Sequence, residues 1–290
     1  MLTIFTPTYN RGYSLSRLYN SLCNQSVTDF EWLIVDDGST DDTESIINNY
    51  IEEAKITIIY KKKSNGGKHT AINEGVKLAS GEWFFIVDSD DWLPSDSLSI
   101  VEKYIKFIQS DDKIGAVCGL RHISNSKILP SKHNFNSEII DDFISFRAKF
   151  NLHIDMAEVF RTAILKKYEF PVYSDEKFLS EAVVWNRIAQ EYQVLFFPEY
   201  IYNCKYLDDG LTISIARHHR NSPYGSMLYY NEIISNPKHS GISKIKAAIN
   251  YWRYSIGVNR KKYLETKPHF ISYLFFPVGY YFYLRDKKKK

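Results

Sequence analysis

The chain is 290 residues long with 44% hydrophobic and 24% charged residues, a globular balance that provides for a large buried core and excludes disorder. With 13 Gly, 9 Pro and 3 Cys it is neither collagen-like nor a disulfide scaffold; Cys23, Cys118 and Cys204, odd in number and far apart, fit a reducing compartment and no zinc cluster. The net charge of +3 is owed to Lys287–Lys290, so the body is near neutral, which excludes a nucleic-acid protein with a basic binding face.

In chain order, Leu2–Thr6 is an apolar run, expected as a strand stopped by Pro7. Leu15, Leu18, Tyr19 and Leu22 recur at helical spacing within Ser14–Cys23. Glu31–Val35 predicts a buried strand ending at Asp36-Asp37-Gly38. Asp41, followed three residues later by Glu44, then predicts a capping box opening a helix over Thr43–Ile51. A strand over Ile56–Tyr60, a helix over Lys68–Leu78 and a strand over Trp83–Val87 continue the alternation. Such alternation with short connections predicts an α/β fold: a mostly parallel central sheet flanked by helices, with ligands at the carboxyl ends of its strands.

Beyond about Pro130 the pattern is less regular. A helix over Asp175–Gln190 and strands over Val194–Phe197 and Ile201–Lys205, either side of Pro198, are expected, and from about His218 the chain reads as helical. The expected partition is one domain over residues 1–215 and a helical C-terminal region over 216–290. No cleavable signal peptide is expected at Met1–Thr6, and no spanning segment. The most apolar run, Phe270–Leu284, is broken by Pro277 and Gly279 and falls short of the ~20 residues a spanning helix needs.

Three acidic features carry chemistry. Asp36-Asp37-Gly38-Ser39 closes a strand, where carboxylates accept from ribose hydroxyls or a base N–H, or simply cap a turn. Asp88-Ser89-Asp90-Asp91 follows a continuous apolar strand. Carboxylates so close together repel unless a cation or donors neutralise them, and oxygen-only ligands suit Mg²⁺ or Mn²⁺ bridging to phosphates. Glu181 opens an apolar helix, where a partly desolvated carboxylate can act as a base or merely answer the helix dipole. Between the first two lies Asn65-Gly66-Gly67-Lys68, whose glycines let backbone N–H groups approach an anion. Neither a P-loop nor a G-x-G-x-x-G spacing is present.

In combination these motifs are far more specific than singly. Thr6-Pro7-Thr8-Tyr9-Asn10, Val35-Asp36-Asp37-Gly38-Ser39, Asn65-Gly66-Gly67 with Ala71, Asn73 and Gly75, and Val87-Asp88-Ser89-Asp90-Asp91 together resemble glycosyltransferase family 2, inverting enzymes with a GT-A fold. The resemblance is strong over residues 1–120 and weaker to about 215. Within that family it resembles the bacterial surface and capsular polysaccharide transferases. It implies a nucleotide-sugar-binding half over 1–120 and an acceptor half over 121–215.

By the same resemblance, Pro7, Tyr9, Asp36, Asp37, Asn65, Gly67 and Lys68 would cradle the nucleotide of a UDP-type sugar donor. Asp88 and Ser89 would sit at the ribose and sugar. Asp90, with Asp88, would hold Mn²⁺ or Mg²⁺ on the diphosphate. Separately from the resemblance, the basic run Arg217-His218-His219-Arg220 is expected either to close over the diphosphate, with His218 and His219 as metal or phosphate contacts, or to be a solvated basic loop. Glu181, ahead of Trp185-Asn186-Arg187, stands where the family has its basic Asp, so the role survives one added methylene while the preceding acid of the family pair is lost. The absent Gln-x-x-Arg-Trp element argues against a processive synthase.

The resemblance implies transfer to a hydroxyl of a glycan or lipid-linked acceptor in cell-surface polysaccharide synthesis. A catalytically inactive nucleotide-sugar-binding or scaffold subunit is the alternative, since Glu181 replaces Asp. A sugar-phosphate nucleotidyltransferase is disfavoured by Pro7–Gly12, which is not a Gly-rich basic loop. The aromatic run Phe270–Leu284 and the lysines after it predict an interfacial anchor, placing the protein in the cytoplasm at the membrane face. Packing of those aromatics onto the chain's own core, or into a homodimer, is the competing expectation.

Overall fold

The computed structural model describes residues 1–123, 135–152, 155–205, 215–259 and 262–288. The chain forms two compact units: Met1–Glu169 with Arg187–Asp208, and Phe170–Asn186 with Asp209–Lys290.

The first unit is built on an eight-stranded sheet. Its strands are β1 (Leu2–Thr8), β2 (Phe30–Asp36), β3 (Thr57–Lys62), β4 (Trp83–Ile86), β5 (Ile114–Ile123), β6 (Ile139–Asp141), β7 (Ala157–Arg161) and β8 (Gln193–Cys204), in the order β3-β2-β1-β4-β7-β5-β8-β6. β1, β2, β3 and β4 are parallel, as are β5 and β8; β7 runs antiparallel to both its neighbours, and β6 to β8. Helices α1 (Gly12–Cys23), α2 (Thr43–Glu53), α3 (Lys68–Leu78), α4 (Ser97–Phe107), α5 (Phe143–Phe150) and α6 (Thr162–Leu165) alternate with them.

The inner strands β1, β2 and β4 are buried along their whole length because both faces of the sheet are covered, and polar residues within them such as Thr3 and Glu31 bond to each other. Phe5, Trp32, Leu33, Phe84 and Phe85 are fully enclosed. The chain order reverses between β1 and β4, and sheets of this kind receive ligands in the crevice outside the carboxyl ends at such a point.

Several local expectations are corrected. β1 continues through Pro7 to Thr8. The Pro7 nitrogen faces the β4 side, where pairing ends at Phe5–Ile86, so its missing N–H breaks no ladder. Nor does Pro198 divide two strands: β8 is continuous, and the proline falls in a bulge where Cys118–Leu120 of β5 faces Phe196–Tyr200. The capping box does not form. Asp41 accepts from the N–H groups of Thr43 (3.1 Å) and Gly12 (3.2 Å), while Glu44 turns away to Lys62 (2.7 Å).

The second unit contains α8 (Ile215–Asn221), α9 (Pro223–Ser235), α10 (Gly241–Ser255), 3-10 turns at Leu264–Thr266 and Phe270–Phe275, and α11 (Phe276–Lys287). Its core gathers Met227, Ile234, Ala248, Tyr251 and Trp252. The helix expected over Asp175–Gln190 is shorter: α7 covers Ala182–Glu191. Asp175 is left-handed (φ 70°), and Glu176 turns its carboxylate onto the N–H groups of Tyr224 (2.7 Å) and Gly225 (2.8 Å) at the start of α9. These bonds, with Phe178 N–H on Ser222 Oγ (3.2 Å), are why 170–186 joins the C-terminal helices rather than the sheet.

Candidate active site

Three loops meet at the carboxyl ends of β1, β2 and β4. Asn10, just past β1, is left-handed (φ 52°), a conformation Asn tolerates well. Its N–H donates to Ser39 Oγ (2.8 Å), and its Oδ1 accepts from Thr40 N–H (2.8 Å), joining the β1 loop to the β2 loop. Tyr9 projects beside this joint, about half exposed.

Asp36 and Asp37 divide their work. Asp36 is fully enclosed and accepts from Ser39 N–H (2.7 Å) and the Tyr60 hydroxyl (2.8 Å), so its carboxylate shapes the turn. Asp37 reaches across to the loop before α3. Its Oδ1 accepts from Lys63 Nζ (2.7 Å) and Gly66 N–H (2.9 Å), and its Oδ2 from Gly67 N–H (2.7 Å). Gly67 has φ 94°, which favours glycine, and this turn sets Lys68 at the first position of α3.

Lys68 Nζ lies 2.5 Å from Asp88 Oδ1, tying that loop to the end of β4. Asp88 and Asp90 are partly exposed, whereas Asp91 is buried. Burial raises the Asp88 carboxyl, but Lys68 and Arg121 outweigh it and hold the group below the usual range. Asp90 is raised, first by burial and then by the charge of Asp88. Asp91 is pushed up to about 7 by the same two causes.

The 88–91 loop is held from several sides. Ser14 Oγ donates to the Ser89 carbonyl (2.9 Å), and the Arg17 guanidinium donates to the Asp90 carbonyl while lying 4.1 Å over the Trp92 ring. The Tyr202 hydroxyl accepts from Asp88 N–H (2.9 Å) and donates to Asp91 Oδ2 (2.7 Å). Arg121 covers the Tyr202 ring at 4.2 Å and donates to the Met156 carbonyl (2.7 Å). Ser14, Arg17, Arg121 and Tyr202 escape motif reading because each meets the loop from far along the chain. The one local signal was the strand pattern that put Tyr202 near a sheet end.

The donor set fits a divalent cation. Asp88 and Asp90 offer hard oxygens two residues apart, and the Asp90 carboxyl, raised by burial and then by the charge of Asp88, would be held ionised by a bound cation. Mg²⁺ and Mn²⁺ sites commonly complete their shell with phosphate oxygens and water. Among the described residues no group of three or more His, Cys, Asp and Glu gathers for a metal.

In the second unit, Glu181 immediately precedes α7, and its carbonyl accepts from Val184 (3.0 Å) and Trp185 (3.1 Å) N–H groups. His218 lies 5.4 Å from the Phe178 ring, and burial followed by Arg217 lowers its pKa. The basic run 217–220 is a helical turn, not a loop. Its His219 is a core residue bonded to Ser226 Oγ (2.8 Å), and Arg220 pairs with Asp286 (3.5 Å), so neither is a free phosphate contact.

The profile of glycosyl transferase family 2 matches residues 3–168. The poly(ribitol-phosphate) β-glucosyltransferase of Bacillus spizizenii is 28% identical over 278 residues, covering 92% of this chain and 42% of that protein. The poly(ribitol-phosphate) β-N-acetylglucosaminyltransferase TarP of Staphylococcus aureus is 30% identical over 172 residues, 57% of this chain and 50% of TarP. The chain thus spans half or less of the length of these relatives. S. aureus TarS 1–349, solved with UDP-GlcNAc, superposes with a TM-score of 0.67 at 20% identity over 96% of this chain and 79% of that one, a likeness of fold.

Proposed function

The chain belongs to glycosyl transferase family 2, and on that premise we propose that it moves a sugar from a nucleotide-diphosphate donor to a hydroxyl of a cell-surface polymer. The observation that carries this reading is the joining of the Gly66-Gly67-Lys68 loop to the Asp88–Asp91 loop at the switch point of the sheet, through Asp37 and Lys68. That arrangement brings Lys68 and the Asp88 and Asp90 carboxylates together at the carboxyl ends of the strands, a charge pattern suited to a cation-bound diphosphate.

Tyr9 and the Asp37-held loop receive the nucleoside, and Ser89 and Asp88 face the ribose and sugar. Asp90 and Asp88 would hold Mn²⁺ or Mg²⁺, which would supply electrostatic stabilisation of the charge that builds on the diphosphate. The proton of the acceptor hydroxyl is taken by Glu181, assigned from its place ahead of α7. One displacement at the anomeric carbon inverts its configuration. A UDP-sugar is the donor proposed, in keeping with the UDP-GlcNAc complex of TarS. Poly(ribitol phosphate), named in the relatives, and lipid-linked glycan are the acceptor classes, met at the cytoplasmic membrane face.

Purified protein incubated with UDP-, GDP- and dTDP-sugars and Mn²⁺, Mg²⁺ or EDTA tests this reading. Metal-dependent binding and slow hydrolysis of a UDP-sugar is expected. Failure of every donor to bind with either metal would overturn it.

A further inference from the structure

We propose that the outward face of the segment Phe270–Lys288 docks in the plane of an anionic lipid bilayer. This deepens the membrane-side location proposed above and rests on it. One side of the segment packs onto the chain's own helices and the other stays open. On the inner side, the Trp252 indole N–H donates to the Ser272 carbonyl (2.7 Å), and Phe276 packs edge-on against Trp252 at 4.9 Å. A Cβ at Gly279 would stand 2.5 Å from Trp252 Cβ and 2.8 Å from the Ile249 carbonyl, so only glycine permits α11 to approach α10 this closely.

The outer side is left open. Phe270 is 76% exposed, Leu274 78%, Tyr273 57% and Tyr281 61%. Val278, Tyr281, Arg285 and Lys288 follow at helical spacing, all exposed, with Leu284 and Lys287 beside them. An amphipathic element of aromatic and basic residues lies at headgroup depth rather than across the bilayer. α11, of 12 residues, is about 18 Å long, well short of the ~30 Å hydrocarbon core. No helix among the described residues is long and apolar enough to cross a membrane.

Charge selects the partner. Within Phe270–Lys288 the cations are Arg285, Lys287 and Lys288, followed in sequence by Lys289 and Lys290, and the one side-chain carboxylate is Asp286. Asp286 is turned inward and bonded to Arg253 Nε (2.6 Å) and Arg220 (3.5 Å). The open face therefore carries no acid, so it meets anionic headgroups without repulsion. Each basic residue near such a surface contributes on the order of fivefold in partitioning, and salt screens it. An apolar face made for a second copy of the chain would gain nothing from that one-signed charge.

The test is flotation of the full chain with vesicles of phosphatidylcholine alone or mixed with phosphatidylglycerol, at low and high salt. Flotation with the mixed vesicles only, weakened by salt, is expected. F270S/L274S and K287E/K288E should each reduce it by ~10-fold or more. Absence of flotation on anionic vesicles, equal flotation on both compositions, or a dimer in solution lost in F270S/L274S would overturn the proposal. UDP-sugar hydrolysis in the same preparations keeps failure of the docking face distinct from failure of the transferase reading.

Discussion

The Tyr202 hydroxyl donates to Asp91 Oδ2 at 2.7 Å and accepts the Asp88 N–H at 2.9 Å, so one phenol fixes both ends of the acidic loop. Asp91 thereby supports the loop that carries Asp88 and Asp90. Removing the hydroxyl in Tyr202→Phe leaves a buried carboxylate short of a donor, at a cost of about 1–3 kcal/mol. The ring remains to pack beneath Arg121. The expected outcome is a folded protein whose half-saturating Mn²⁺ concentration for UDP-sugar hydrolysis rises ~10-fold or more. Initial rates over a metal titration, with a thermal melt alongside, check it; an unchanged metal dependence would remove Tyr202 from the site.

The Asp37 carboxylate is the clasp of the donor loop. It accepts from Lys63 Nζ and from two consecutive backbone N–H groups, Gly66 and Gly67. In Asp37→Asn one of these acceptors becomes a donor and the charge opposite Lys63 is lost. Charge-assisted bonds of this kind contribute about 1.5–3 kcal/mol. UDP affinity measured by calorimetry should fall by ~10-fold or more, with a smaller loss in melting temperature.

Glu181→Gln separates an active transferase from an inactive binding subunit. The amide keeps the size of the side chain and its place before α7 but cannot take a proton. Loss of a general base costs ~100-fold or more in turnover. Transfer to acceptor should collapse while UDP-sugar binding is retained. Unchanged turnover would move the base to another residue.

Much of the first unit was legible because its signals are local. Trp32 to Val35 and Trp83 to Ile86 are apolar runs bounded by acidic turns, and α3 begins at Lys68 because Gly67 breaks the chain there. The family motifs located the loops, but their interior wiring was not legible. Nothing near Asp36 in sequence shows that Tyr60 consumes one of its oxygens, and Tyr202 lies 111 residues from the aspartate it supports. Glu176 misled by sitting in a helix-favouring stretch. Its carboxylate is more stable capping α9, a partner that only the tertiary fold supplies. His219 was unreadable within a basic run, because its burial depends on helices α9 and α10.

That burial gives a pH dependence. The His219 ring lies 5.3 Å from Tyr254 and 5.5 Å from Tyr230, with Ser226 Oγ on Nδ1. Burial, then the charges of His218 and Arg253, lowers its pKa from 6.5 to about 4. Above pH 6.5 the imidazole is neutral in both folded and unfolded chains, and its burial carries no proton penalty. As pH falls from 6.5 toward 4, the unfolded chain takes up a proton that the folded one refuses, so stability falls, by up to about 3 kcal/mol for this group. His69, enclosed in the first unit and likewise lowered to about 4 by burial, adds a slope of its own. Asp91, pushed up to about 7, works in the opposite direction over this range, so the imidazole contribution is read as a difference from the unsubstituted chain. Between pH 7 and pH 5 the urea midpoints of His219→Phe and of His69→Phe should each fall less, or rise more, than that of the unsubstituted chain. Equal pH slopes in all three would show that neither imidazole is held neutral by its burial.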